Sequence, residues 1–91
     1  MPKIIVTAEV EDGTTWEEGF RTHADLFRSQ TCSKMEYSIN GNEVAVCADP
    51  ADFDAFMTLF EAPETAEAMA FDGIKRDTVK VYIMDHVWDL Q

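Results

Sequence analysis

His23 and Tyr37 are the two side chains of this sequence whose types best suit chemistry in a buried site. His23 lies in the stretch Thr14 to Gln30, TTWEEGFRTHADLFRSQ, beside an apolar stripe formed by Trp16, Phe20, Ala24 and Phe27. That three- and four-residue spacing predicts one helix over 14–30, with aromatic groups on its buried face. Imidazole titrates near neutrality, so a histidine facing a pocket could act as general base or ligand anchor. Tyr37, on a predicted strand, would supply a phenolic hydrogen-bond donor. Each carries a polar atom that needs a partner once buried. Trp16, Phe20, Phe27, Met57 and Phe60 would form the ligand-binding walls, with Met35 beside them. The plainer reading is that these aromatics and methionines are ordinary core and that His23 bonds a backbone carbonyl.

Other reactive groups add little. His86 falls on a strand face where an interface or an exposed terminus explains it. With only two histidines in the chain, a transition-metal centre using Glu9 or Glu36 is not expected. Cys32 and Cys47 are too few and wrongly spaced for the common zinc sites. No glycine-rich phosphate loop or recognised nucleophile motif is present, and no cofactor is expected.

The elements that must position these residues can be read in order. Ile4, Val6, Ala8 and Val10 alternate with more polar neighbours, predicting a strand over 3–10. Thr14 with Glu17, or Thr15 with Glu18, fits a capping box at the start of the long helix. Arg21 follows Glu17 by one helical turn, and Gly19 is a weak point that could admit a close approach of backbone or ligand. Strands are expected over 33–39 and 42–48, joined by Asn40-Gly41 as a tight turn. This pairs Tyr37 with Val44 and Met35 with Val46, and puts Met35, Tyr37, Ile39, Val44 and Val46 on one face. It makes Cys32 and Cys47 diagonal neighbours and so free thiols. Asp49 as N-cap and Pro50 at the first helical position open a helix carrying Phe53, Phe56, Met57 and Phe60. Ala62-Pro63-Glu64 breaks it. A short helix over 64–71 turns Ala66, Met69 and Ala70 inward and closes at Asp72-Gly73. The last strand covers 78–87, with Trp88 and Leu90 in an apolar tail that would pack on a partner or over a pocket mouth.

Ninety-one residues make one domain, 1–91, small enough that a second copy would help stability. The formal net charge of −11 excludes nucleic acid and anionic membrane surfaces as expected partners. No stretch approaches the roughly 20 apolar residues of a membrane span. Met1-Pro2-Lys3 leads straight into a short apolar run unlike a secretory signal, and a cytoplasmic location is expected.

With the short helix counted as an appendage, the order is that of an α+β ferredoxin-like βαββαβ domain: a four-stranded antiparallel sheet with helices on one face. The other face (Ile5, Thr7, Glu36, Ser38, Ala45, Cys47, Tyr82, Met84, His86) is too apolar for water and too polar for a core. A homodimer through this sheet face would resolve that. The segment Trp16 to Phe27 with its run Thr22-His23-Ala24-Asp25-Leu26, the hairpin ending Asn42-Glu43-Val44, Asp52-Phe53-Asp54-Ala55-Phe56, Ala62-Pro63-Glu64, Glu67-Ala68-Met69 and Gly73-Ile74 together resemble the dimeric α+β barrel superfamily. Antibiotic biosynthesis monooxygenase-like domains belong to it. The resemblance implies a barrel of two sheets and a small-molecule ligand held between helices and sheet. It leaves three activities: a cofactor-independent monooxygenase or isomerase on an apolar or aromatic molecule, a non-catalytic ligand-binding or assembly module, and a haem-handling protein. Haem is the weakest, because the acidic surface repels its propionates.

Overall fold

The computed structural model describes residues 3–90 of the chain; the reading of Met1-Pro2 as no signal lies outside them. Strand β1 (Ile4–Glu9) leads to helices α1 (Gly13–Phe20) and α2 (Ala24–Ser29), the hairpin β2 (Met35–Asn40) and β3 (Glu43–Ala48), helices α3 (Phe53–Phe60) and α4 (Pro63–Phe71), and β4 (Lys80–Ile83). The sheet is antiparallel with order β2-β3-β1-β4. This is the α+β, ferredoxin-like arrangement expected.

The strand alternation sets the two faces. Ile4, Val6 and Ala8 stand level with Ala48, Val46 and Val44, and those with Met35, Tyr37 and Ile39. They form the helix side, as predicted. The hairpin register is displaced by one residue on each strand: Tyr37 faces Val46, and Asn40 faces Glu43. The turn is therefore Gly41-Asn42, with Gly41 alone at positive φ (61°), the position glycine takes in a type II′ turn. Because this slip keeps parity, every side chain stays on its predicted face. Glu36, not Lys34, lies opposite Cys47. Both cysteines are free, Cys32 buried against Ile4, Ala48 and Phe56 and Cys47 on the open face.

The long first helix is two helices. Asp12, not a Thr–Glu box, caps α1: its carboxylate accepts from Thr14 N at 3.3 Å and from the Thr15 hydroxyl at 2.8 Å. After Phe20 the backbone bonds tighten to three-residue spacing, Thr22 N to Gly19 O and His23 N to Phe20 O. The Thr22 hydroxyl also donates to Gly19 O at 2.6 Å. Glycine's low helix propensity and a threonine hydroxyl competing for the carbonyl end the helix there. His23 becomes the residue from which α2 starts. Asp52 caps α3, accepting from Ala55 N at 3.0 Å, so the helix begins three residues later than Asp49-Pro50 suggested. Thr65, Ala68 and Met69 turn inward on α4, whereas Ala70 is exposed.

The core has two centres. Ala8, Val10, Trp16, Phe20 and Val44 form one, and Ile4, Cys32, Ala48 and Phe56 the other, with Phe27 and Met35 packed against both. β4 ends at Ile83 rather than Val87, because its partner β1 begins at Ile4, directly opposite. Val87, Trp88 and Leu90 are 89%, 84% and 76% exposed.

Candidate functional site

Between the helices and the inner sheet face lies a cavity of about 80 Å³. Trp16 and Phe20 of α1, Phe27 of α2 and Phe60 of α3 line it, over a floor of Val6, Ala8, Val44 and Val46. The aromatic wall is continuous: Trp16 stacks on Phe20 at 4.7 Å, and Phe20 meets Phe27 at 5.0 Å. A water molecule occupies about 30 Å³ of liquid, whereas pockets for larger ligands run to roughly 300–1,000 Å³. The cavity thus admits a small group as it stands, and an aromatic ligand requires the roofing helices to move apart.

Polar groups in this lining are few. Gln30, 2% exposed, donates through Nε2 to the Thr65 hydroxyl at 3.1 Å, and Thr65 donates to Leu59 O at 2.6 Å. The Trp16 indole Nε1 is buried without a hydrogen-bond partner among the described residues. Leaving such a donor unpaired costs roughly 1–3 kcal/mol. Asp72, at the C-terminal end of α4, completes the set and is 5% exposed.

His23 is not among the lining residues. Its Nε2 lies 3.1 Å from Asp72 Oδ1, and its ring stands edge-on to Phe27 at 6.5 Å and to the exposed Phe71 at 6.1 Å. The partner of this histidine is a carboxylate, not the backbone carbonyl considered above. Burial pushes the Asp72 carboxyl above its ordinary range, while the hydrogen bond and charge of His23 pull it back in part. Gly19 makes the approach possible. A methyl group there would collide with Asp72 Oδ1 and come within 3.1 Å of its Cγ. The close approach at Gly19 is made by this side-chain carboxylate, not by the backbone or ligand expected there.

Tyr37 also lies off the cavity lining. Its hydroxyl donates to Glu17 Oε2 at 2.5 Å and accepts from Arg21 Nη1 at 2.9 Å, so it bridges the pair expected to meet directly. The bond to Glu17 holds the phenol above its usual pKa. Met57 packs on the second core centre without lining the cavity. His86 is fully exposed, 3.6 Å from Asp85. Among the described residues no three metal-ligating side chains come together.

Asp72 is the residue that reading the sequence passed over, taking Asp72-Gly73 as a helix stop. One signal was available: a carboxylate at a helix C-terminus opposes the helix dipole, so its presence there calls for a compensating partner.

No family model matches this chain, and no curated protein does. Solved structures do share its fold. A candidate antibiotic biosynthesis monooxygenase from Bordetella bronchiseptica superposes with a TM-score of 0.73 at 14% identity, covering 96% of this chain and 97% of its own. SnoaB, a cofactor-independent oxygenase from Streptomyces nogalater, gives 0.71 at 17% identity, covering 98% and 95%. A protein of Arabidopsis thaliana gives 0.70 at 14% identity over 100% of both chains. The chain therefore has the ferredoxin-like fold of the antibiotic biosynthesis monooxygenase-like proteins. At these identities the likeness concerns fold alone.

Proposed function

We propose that this protein is a small cofactor-independent enzyme, a monooxygenase or isomerase, acting on an apolar or aromatic molecule held between the helices and the sheet. The observation that carries this reading is the cavity itself: an aromatic-walled space with the buried Asp72 at its edge, bonded to a half-buried His23. Trp16, Phe20, Phe27 and Phe60 would contact the ligand, with Met57 behind them and His23 supplying the proton-transfer pair. Tyr37 would act from outside, its hydroxyl fixing α1 to β2 through Glu17 and Arg21. SnoaB, named as a cofactor-independent oxygenase on the same fold, supports the choice of chemistry.

A second reading has its own observation. The tail residues Val87, Trp88 and Leu90 are mostly exposed, as are Tyr82 and Met84 on the open sheet face at 49% and 50%. Apolar groups placed this way favour a homodimer through that face, and a non-catalytic binding or assembly module would use it equally. No helix among the described residues is long and apolar enough to cross a membrane. The excess of 18 acidic over 7 basic side chains opposes nucleic acid as a partner.

Native mass spectrometry of the protein as purified from cells tests both readings. A dimer carrying extra mass that disappears on Phe20→Trp, which fills the cavity, is the expected result. A bare monomer would overturn the dimer, and a protein that binds no apolar small molecule would overturn the enzyme.

A further inference from the structure

We infer that Asp72 is the proton acceptor of the cavity and that His23 is its positioning residue. This rests on the reading of the cavity as a ligand site and reverses the roles that residue type alone suggests. Among the described residues Asp72 is the one ionisable side chain in the cavity lining; neither His23 nor Tyr37 reaches it. The carboxylate is held from one side only. Oδ1 bonds His23 Nε2 at 3.1 Å, while Oδ2 has no hydrogen bond among the described residues and is not sealed from its surroundings.

Three features of the chain place this group at some expense. It stands at the C-terminal end of α4, where the helix dipole disfavours a negative charge. It is buried against apolar walls that penalise the ionised form, which raises its proton affinity toward the range useful to a general base. It occupies space over α1 that only a glycine at position 19 leaves open. A capping role needs none of these.

The chemistry is proton transfer from a weakly acidic C–H of a flat, apolar molecule. The proton goes to Asp72 Oδ2, and the C–H electron pair stays on the molecule as a delocalised carbanion. Return of the proton to a second carbon completes an isomerisation with no oxidant or cofactor. His23 keeps its Nε2–H on Oδ1, so the carboxylate presents the other oxygen throughout. Among the described residues the charged group facing Asp72 is His23, with Glu11 near the following residue, Gly73.

The probe is 5-nitrobenzisoxazole. Loss of its C–H proton to a base forms a C≡N bond, breaks the N–O bond and releases a coloured cyanophenolate. The Trp88→Phe background leaves Trp16 as the only tryptophan, so quenching of its fluorescence reports entry to the cavity. Expected are quenching, turnover, and a loss of turnover on Asp72→Asn of about 100-fold or more with quenching retained. His23→Gln, which keeps an N–H donor for Oδ1, should lose less than about tenfold and displace the pH profile. Turnover that survives Asp72→Asn, or a loss on His23→Gln as large as on Asp72→Asn, overturns the assignment while leaving the cavity reading intact. Absence of quenching removes the cavity reading and the assignment with it. Should Asp72→Asn fail to fold, His23→Gln decides, because it leaves the carboxylate in place: abolished turnover makes His23 the base.

Discussion

Gly19→Ala should change sign as a mutation according to what stands at position 72. In a helix interior, replacing glycine by alanine ordinarily stabilises by about 0.4–1 kcal/mol. Gly19 has ordinary helical φ, so the backbone offers no objection. The new methyl group, however, would collide with Asp72 Oδ1 and sit 3.1 Å from Cγ, while Cα is at a comfortable 3.6 Å. The carboxylate must swing away and lose its bond to His23 Nε2. Hydrogen bonds to charged groups contribute about 1.5–3 kcal/mol. Subtracting the propensity gain leaves a net loss of about 0.5–2.5 kcal/mol for Gly19→Ala alone. In an Asp72→Ala background nothing is displaced, and the same substitution should stabilise by up to about 1 kcal/mol. The coupling between the two sites is then about 1.5–3 kcal/mol, well above the error of urea denaturation on the four proteins of the cycle. A coupling below about 0.5 kcal/mol, or a Gly19→Ala protein more stable than wild type, would refute the argument that Gly19 is present to seat Asp72.

Other consequences can be measured alongside. Asp72 has a folded pKa raised from 3.8, so the native state binds the proton more tightly than the unfolded chain. The stability difference between wild type and Asp72→Asn should therefore fall as pH rises from 3.8 to the raised value and stay flat above it; a difference that grows with pH contradicts the burial argument. In a Tyr82→Phe background Tyr37 is the only tyrosine, and its ultraviolet titration should move down on Glu17→Gln, because the carboxylate that holds the phenolic proton is gone. Phe56→Ala, which empties a position 2% exposed, should cost about 3–5 kcal/mol by denaturant unfolding. Trp16→Phe removes an unpaired buried donor along with some packing, and should cost under about 1.5 kcal/mol, unlike Phe56→Ala.

The fold was legible because its signals are local and periodic. Alternation in Ile4–Val10 and in Met35–Ala48 assigns each strand's face, and a hairpin slip that preserves parity leaves those faces unchanged. The aromatic spacing from Trp16 to Phe27 marks a buried helical face whether or not the helix is continuous. The break at Arg21–His23 was less legible: Gly19 and Thr22 lower helix propensity only modestly, and packing of α2 decides the rest. The pattern that predicted a strand through Val87 ran past its partner: beyond Ile83 opposite Ile4, Met84 N to Lys3 O at 2.9 Å is the last bond between the two segments among the described residues, and strand formation needs a neighbour.

By itself the sequence determined the element order, the two faces of the sheet, the acidic surface and the aromatic composition of the inner wall, since each follows from residue type and short-range period. Only the tertiary structure decided which polar atoms meet. Gly19, His23 and Asp72 span more than half the chain, and their juxtaposition depends on α4 ending against α1. No local pattern encodes that distance. It moved His23 behind a carboxylate, left Tyr37 bound to Glu17 and Arg21, and brought to the cavity an aspartate that in the linear chain looked like the end of a helix.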